Sequence, residues 1–303
     1  QWRDSQGRGI AGGKAWNGFG NVPTAMAIYP LTGFVDEISP ELSEQVHVAR
    51  ACGLTGIDVR SVGGVNVLDL SDEQLAEVRQ ATTEAGLSVQ AVGSPVNKVA
   101  FSAENRSKEV QKLRCAIHAA RILGAKRIRI FSPEVPEGEH EARWPEVLAW
   151  MTEQADMARA AHVLLLHEND GRYYGAYPAN AKRLMEALHS PTFRFAFDFA
   201  NTVQLGFSPV EDWLPWVLPY TDTIHVKDAV KGTGQVVPAG KGDGQIEEFV
   251  KELLRQDWKG TFTMEPHLEV AGHFGGFSGA QLFETAVQAF RDVIGKAGGT
   301  AGW

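Results

Sequence analysis

From Ala25 onward the chain alternates between two textures. Short apolar or β-branched runs fall at 25–36, 55–62, 87–94, 127–132, 163–169, 193–201, 222–228 and 260–267. Between them lie stretches with helical spacing. In SDEQLAEVRQATTEAG, Leu75, Val78, Thr82 and Ala85 share one stripe, with Ser71 placed to cap the start and Gly86 to stop the end. KEVQKLRCAIHAARILG (108–124), EEFVKELLRQ (247–256) and AQLFETAVQAFRDVIG (280–295) repeat the pattern. Eight strand–helix units in this length predict a parallel sheet covered by helices, with the count and size of a (β/α)8 TIM barrel. A doubly wound open sheet is the rival fold. It usually carries G-x-G-x-x-G after its first strand, and LTGFVDEISPEL lacks that motif.

The expected organisation is a loosely ordered N-terminal extension over residues 1–24, one barrel domain over 25–298 and a short C-terminal tail over 299–303. No Pro/Gly/Ser linker divides the chain after residue 25. The net charge of −8 argues against broad nucleic-acid binding, which needs basic surface. No run of ~20 apolar residues is present to span a membrane, and residues 1–24 hold no signal-peptide core. Two cysteines, Cys52 and Cys115, form no disulfide framework, so a cytoplasmic location is expected.

Four potential metal ligands follow four successive apolar runs: Glu168 in VLLLHEND, Asp198 in FRFAFDFAN, His225 in DTIHVKD and Glu265 in GTFTMEPH. They are 30, 27 and 40 residues apart, about one strand–helix unit each. A parallel barrel brings the carboxyl ends of its strands to one mouth, so the four can meet. Taken singly, each is as well explained as a helix cap or a solvated charge. As a set, three carboxylates and one imidazole suit one divalent ion. Mn²⁺ is the expected choice, with Mg²⁺, Co²⁺ or Zn²⁺ as alternatives. Such an ion polarises a carbonyl, and a neighbouring carboxylate can remove the adjacent proton.

Strand parity extends the set. Lys227 should point the same way as His225, and His267 the same way as Glu265, while His167 and Met264 should point away from the axis. Lys227 could instead pair with Asp228, and His267 could be a rim residue. In RIRIFS, Arg127 and Arg129 share a face, and an arginine inside a barrel must be paired. Arg129 is therefore expected to hold Glu168, or else to bind a substrate oxyanion. Asp58 and Arg60 in GIDVRSV receive the same reading. Asn201 either hydrogen-bonds a sugar hydroxyl or caps a turn. VPAGKGDGQIEEF (237–249) lacks the P-loop pattern, so its glycines are expected to let the loop fold tightly over the site. Trp213 and Trp216 are expected to pack.

These residues resemble the sugar phosphate isomerase/epimerase group, the xylose isomerase-like TIM barrels. The resemblance runs from LTGFVDEISPEL to MEPHLE and rests on IDVRSVGGVNVLDLSDEQ, RIRIFS, HEN, FDFAN, HVKDA with GKGDGQI, and MEPH. It implies that Glu168, Asp198, His225 and Glu265 hold a divalent metal and that Glu168 and Glu265 form an acid/base pair. It also implies a small carbohydrate substrate and a homo-oligomer, dimer or tetramer. Ketose 3-epimerases carry a His, a Glu and an Arg at substrate-contacting positions where this chain has Asn201, Tyr174 and Lys231. That sets the chain apart from free-ketose 3-epimerisation. Related barrels include inosose and dehydroshikimate dehydratases, hydroxypyruvate isomerases and C-glycoside-cleaving subunits.

The expected function is a divalent-metal-dependent isomerase or epimerase of a sugar or sugar-like polyol. A dehydratase or other lyase that starts with the same proton abstraction is the alternative, with Lys227, His267 or His167 as acid. A non-catalytic sugar-binding subunit is a third reading, against which the intact ligand set argues. An endonuclease IV-like DNA repair enzyme is a remote one, because its trinuclear zinc site needs more histidines than His167, His225 and His267.

Overall fold

A computed structural model describes residues 28–271 and 276–302. The extension expected over residues 1–24 lies outside the described residues. Eight parallel strands form the barrel: β1 (Leu31–Gly33), β2 (Gly56–Val59), β3 (Ser88–Gly93), β4 (Arg127–Ile130), β5 (Leu164–Glu168), β6 (Phe193–Asp198), β7 (Thr221–Val226) and β8 (Thr261–Met264). Each strand lies beside its neighbour in sequence, and β8 pairs with β1. Between β1 and β2 the ring closes through one parallel bridge, Phe34 to Asp58. This is the predicted TIM barrel in a single domain.

The helices are α1 (Leu42–Ala51), α2 (Asp72–Glu84), α3 (Ala103–Leu123), α4 (His140–Ala161), α5 (Pro178–Leu188), α6 (Phe199–Gln204), α7 (Ile246–Arg255) and α8 (Ala280–Ala297). At the start of α2, the Gln74 backbone N–H donates to Ser71 Oγ and the Ser71 N–H to Gln74 Oε1, a reciprocal cap. α3 begins earlier than the apolar stripe indicates, because Ser102 Oγ accepts from the Asn105 N–H at 3.1 Å and starts the helix there. None of the described helices is long and apolar enough to cross a membrane. Both cysteines are free.

Parity along β6 shows how the strands divide the interior from the helix layer. Phe193, Phe195 and Phe197 are fully buried on the outer face. Phe197 stacks on Phe249 of α7 at 4.9 Å, and Trp213 packs on both Phe195 and Phe197. Trp213 also stacks on Trp216, so both tryptophans pack as expected. Each buried ring contributes roughly 1.5–3 kcal/mol relative to exposure. Below the barrel, Thr300–Ala301 pairs in parallel with Ile28–Tyr29.

Inside the barrel the polar groups are matched in layers. Near the amino ends of the strands, Arg127 donates to Asp222 at 2.7 Å and to Gln90 at 3.2 Å. Higher up, Asp58 accepts from the hydroxyls of Thr32 (3.0 Å) and Thr263 (2.8 Å). The expectation that Asp58 faces an arginine is thus corrected: two threonines on neighbouring strands reach it first. Burial raises the Asp58 pKa, with both hydroxyls opposing the rise.

Asn97, in the loop after β3, has φ of 72° and is completely buried. Its Nδ2 donates to the Phe131 carbonyl and Gln154 Oε1, both at 2.7 Å. Its Oδ1 accepts from Trp150 Nε1 and Gln154 Nε2, both at 3.0 Å. The residue pins the loop to α4. Asn97→Ala should leave several buried partners unmatched and lower unfolding free energy by about 3–4 kcal/mol, read by urea denaturation.

Candidate active site

The four predicted ligands converge. Glu168 and Asp198 end β5 and β6, His225 is the penultimate residue of β7, and Glu265 follows β8 directly. One ligand atom from each lies within 4.8 Å of every other, and all four residues are buried. His225 Nδ1 is 3.2 Å from Glu168 Oε1 and 3.3 Å from Glu265 Oε2. Glu168 Oε2, Asp198 Oδ2, His225 Nδ1 and Glu265 Oε2 all lack a partner in hydrogen-bonding geometry. Buried polar atoms are rarely left so. Four of them facing one another fit a cation.

Charge balance gives the same answer. Five buried or nearly buried carboxylates, Asp36, Glu37, Glu168, Asp198 and Glu265, meet three permanently charged side chains, Arg60, Arg129 and Lys227. With both histidines neutral the shortfall of two positive charges is that of one divalent ion; without an ion, against the effect of burial, Glu168 and Glu265 raise the His225 pKa to about 10, and its imidazolium supplies one of the two. Consistently, burial pushes Glu37 up to about 8, against the pull of Arg60. Burial likewise raises Asp198, although Lys227 opposes it. Burial would also raise Glu265 and Glu168. Lys227 with the His225 and His267 hydrogen bonds holds Glu265 down, and His225 and Arg129 hold Glu168 down.

The supporting residues fall largely where parity puts them. Lys227 Nζ lies 3.0 Å from Asp198 Oδ2 and 3.6 Å from Glu265 Oε2, so it faces the ligands and not Asp228. Arg129 Nη1 is 3.3 Å from Glu168 Oε2 and 3.7 Å from Glu265 Oε1, the expected pairing. Arg60 Nη1 is 3.1 Å from Glu265 Oε1, and its Nε donates to Asp36 at 2.7 Å. Both guanidinium groups lie over the Phe34 ring. His267 Nε2 stands 3.5 Å from Glu265 and 3.2 Å from Glu37. Asn201 combines both its readings: its backbone N–H donates to Asp198 Oδ1 at 2.8 Å, and its Nδ2 is 3.3 Å from Glu168 Oε1.

His167 is a correction. It is expected at the mouth as a candidate acid, yet its ring packs on Phe193 and Phe195 in the helix layer. A Cβ at Gly175 would meet that ring at 2.2 Å. Burial depresses the imidazole pKa to about 4, so it stays neutral. Tyr174 is buried against His140 and Trp144, and Lys231 is exposed.

The glycine-rich loop folds tightly, though around an internal anion. Asp228 Oδ2 accepts from the Gly240 and Gly242 N–H groups, and Oδ1 from Ala229 and Gly244, at 2.8–3.0 Å. A Cβ at Gly242 would fall 2.5 Å from the Ala229 carbonyl oxygen.

Two contributors escaped the sequence reading. Glu37 sits on the 3₁₀ turn Val35–Glu37, accepts from the His267 N–H at 2.8 Å, and has no strand-end signature. Asn169 lies one residue past Glu168. Its Oδ1 accepts from the Asp198 N–H at 2.8 Å, and its Nδ2 donates to the Asp198 carbonyl (2.9 Å) and Thr202 Oγ1 (3.0 Å). The HEN triplet contained it without revealing this.

Fold and site together define a (β/α)8 barrel with a buried carboxylate–imidazole mouth able to hold a cation. The chain belongs to the xylose isomerase-like TIM barrel family, whose sequence model matches residues 46–293. It is 26% identical over 226 residues to a 2-epi-5-epi-valiolone 7-phosphate 2-epimerase of an Actinoplanes species, covering 71% of this chain and 78% of that protein. Among solved structures, a xylose isomerase domain protein from Planctomyces limnophilus superposes with a TM-score of 0.69 at 18% identity, covering 90% of this chain and 98% of that one. A 3-keto-D-glucoside 4-epimerase from E. coli superposes with a TM-score of 0.66 at 15% identity, covering 88% and 99%.

Asn169→Ala should free both the Asp198 backbone and the Thr202 hydroxyl. We expect it to destabilise the protein by about 2–3 kcal/mol, with Thr202→Ala costing clearly less, in paired denaturation curves.

Proposed function

We propose that the protein is a divalent-metal-dependent isomerase or epimerase acting on a sugar or cyclic polyol that carries a carbonyl. The observation that carries this reading is the convergence of Glu168, Asp198, His225 and Glu265, four buried side chains whose ligand atoms lie within 4.8 Å of one another at the mouth. Glu168, Asp198, His225 and Glu265 would hold the ion, with Mn²⁺ the expected metal among hard divalent cations. When bound, it would supply Lewis acidity toward the carbonyl oxygen as the neighbouring proton leaves.

The protein's own groups then divide the proton work. Lys227, with His225 and His267, favours the ionised form of Glu265, and His225 with Arg129 favours that of Glu168, so either member of the pair can serve as the base. One of the pair takes the proton from the carbon beside the carbonyl. The other glutamate, which must enter the cycle protonated, returns its proton on the opposite face and inverts that carbon, leaving the pair with its protonation states exchanged. Return to the neighbouring carbon moves the carbonyl instead. Asn201 Nδ2 and Lys227 Nζ flank the pair and would orient hydroxyl groups on the substrate. Burial keeps these ion pairs out of water, where they would be screened.

A lyase reading has one observation in its favour. His267 stands 3.5 Å from Glu265 and is backed by the buried Glu37. Burial depresses its pKa to about 4, so it is neutral near pH 7 and would donate a ring N–H hydrogen bond to a departing β-hydroxyl, the proton itself coming from the glutamate protonated in the first step. Loss of water from the product, seen by mass spectrometry, separates the two outcomes.

Solvent deuterium exchange tests the shared first step. With Mn²⁺ present, deuterium should enter the carbon next to the carbonyl in a panel of ketoses and cyclitol ketones, phosphorylated and free. Chelation should abolish exchange, and Glu168→Gln or Glu265→Gln should slow it by about 10³-fold or more. Unchanged exchange in either variant would falsify the assignment.

A further inference from the structure

Beside the mouth lies a cavity of about 650 Å³, within the range of small-ligand pockets. Arg60 and Arg129, which touch Glu265 and Glu168, are among its lining residues, so it adjoins the site through the two arginines. Its outer wall carries three lysines. Lys98 comes from the loop after β3, and Lys108 and Lys112 from α3, one turn apart on one face. The single carboxylate among the lining residues is Asp69. A protein with net charge −8 therefore lines one cavity with five cations and one anion.

Taking the proposed carbonyl chemistry as its basis, we infer that this cavity binds a phosphate group on the substrate, remote from the reacting carbon. Lys98, Lys108 and Lys112 are the residues that receive it. Each lysine has a carboxylate partner: Asp170 at 2.5 Å, Glu104 at 2.6 Å and Glu109 at 2.6 Å respectively. None of those partners lines the cavity. The Lys108–Glu104 pair is well exposed, and such pairs contribute little, so the ammonium is free to turn to a better anion. Glu109 is committed elsewhere as well, since its second oxygen accepts from the Asn97 N–H at 2.6 Å. Lys98 is more firmly set: it is largely buried, with Nζ 4.3 Å from the centre of the Phe131 ring.

The choice of a phosphate over a carboxylate follows from charge. Three ammonium groups match a dianion with several acceptor oxygens better than a monoanion with two. The two arginines are already engaged with Glu265 and Glu168, which leaves the lysines for the outer group. The cavity thus holds one end of the substrate while its carbonyl end reaches the glutamates. A neutral sugar would offer the lysines nothing better than their present carboxylate partners, so the wall favours a phosphorylated substrate.

The test is calorimetric titration of the metal-free full chain with inorganic phosphate, with acetate as comparison. Leaving the metal out removes binding of phosphate to an ion at the mouth. Saturable phosphate binding is expected, tighter than acetate and weakened by about tenfold or more in Lys108→Gln/Lys112→Gln. Both positions are on the solvent side of α3, so that variant should fold. Lys98→Gln gives the same readout at the buried lysine, checked by its far-ultraviolet dichroism. No saturable binding, equal binding of acetate, or an undiminished double variant overturns the inference. Glu168→Gln should lose deuterium exchange and keep its phosphate affinity within about twofold. Phosphate binding without exchange on any substrate would sink the carbonyl chemistry alone. Exchange on free ketoses without phosphate binding would sink the phosphate site alone.

Discussion

Glu265 is the group on which the mouth of the barrel depends. Arg60, Arg129, Lys227, His225 and His267 all come within 3.1–3.7 Å of its two oxygens. Those five residues sit on or just beyond β2, β4, β7 and β8. One carboxylate thus gathers side chains from half of the ring. Burying a charge is costly unless it is matched, so each partner also fixes where the others stand. Glu168 and Asp198 share three of the same cations and imidazoles, and their like charges keep the balance short of neutral. The proposed cation at the centre would resolve that shortfall. The geometry is therefore one of organised electrostatic tension, with acceptors held close by a scaffold too stiff to let them separate.

The fold was legible because parallel strands buried on both faces leave a simple trace of apolar runs and helical stripes. The convergence of the four candidate ligands was legible for a related reason. A barrel converts position along the chain into position around a ring, so strand-end polarity alone placed Glu168, Asp198, His225 and Glu265 together. Parity carried Lys227 and Arg129 as well. It failed where the controlling partner was not another strand-end charge. Asp58 turned to two hydroxyls that periodicity counts as neutral filler. Asn169 works through the backbone of Asp198, and backbone partners leave no mark in sequence. Glu37 stands on a single 3₁₀ turn, too short to have a period. His167 obeyed its own parity, and its apparent place at the mouth came only from its nearness to Glu168 along the chain.

Two anion-holding devices work in opposite ways. In the loop after β7, backbone N–H groups of Ala229, Gly240, Gly242 and Gly244 are all taken by Asp228. That nest carries its own anion and is built for shape. On the other side of the mouth, the donors are flexible ammonium groups whose carboxylate partners lie outside the cavity they line. The first is a permanent buckle and the second an exchangeable one. A chain acidic overall can in this way present a local basic surface to a small ligand without attracting larger polyanions.

The single bridge from Phe34 to Asp58 gives the barrel a seam. Elsewhere around the ring neighbouring strands share several paired residues, so this is the line along which the cylinder would first breathe. Phe34 is also the platform beneath both guanidinium groups, and its ring meets His225 edge-on at 5.3 Å. Opening the seam would tilt that platform and slacken the arginines' grip on both glutamates together. The weakest joint of the scaffold is thereby wired to its most highly charged point, and amide exchange at the seam becomes a gauge of how tightly the centre is held.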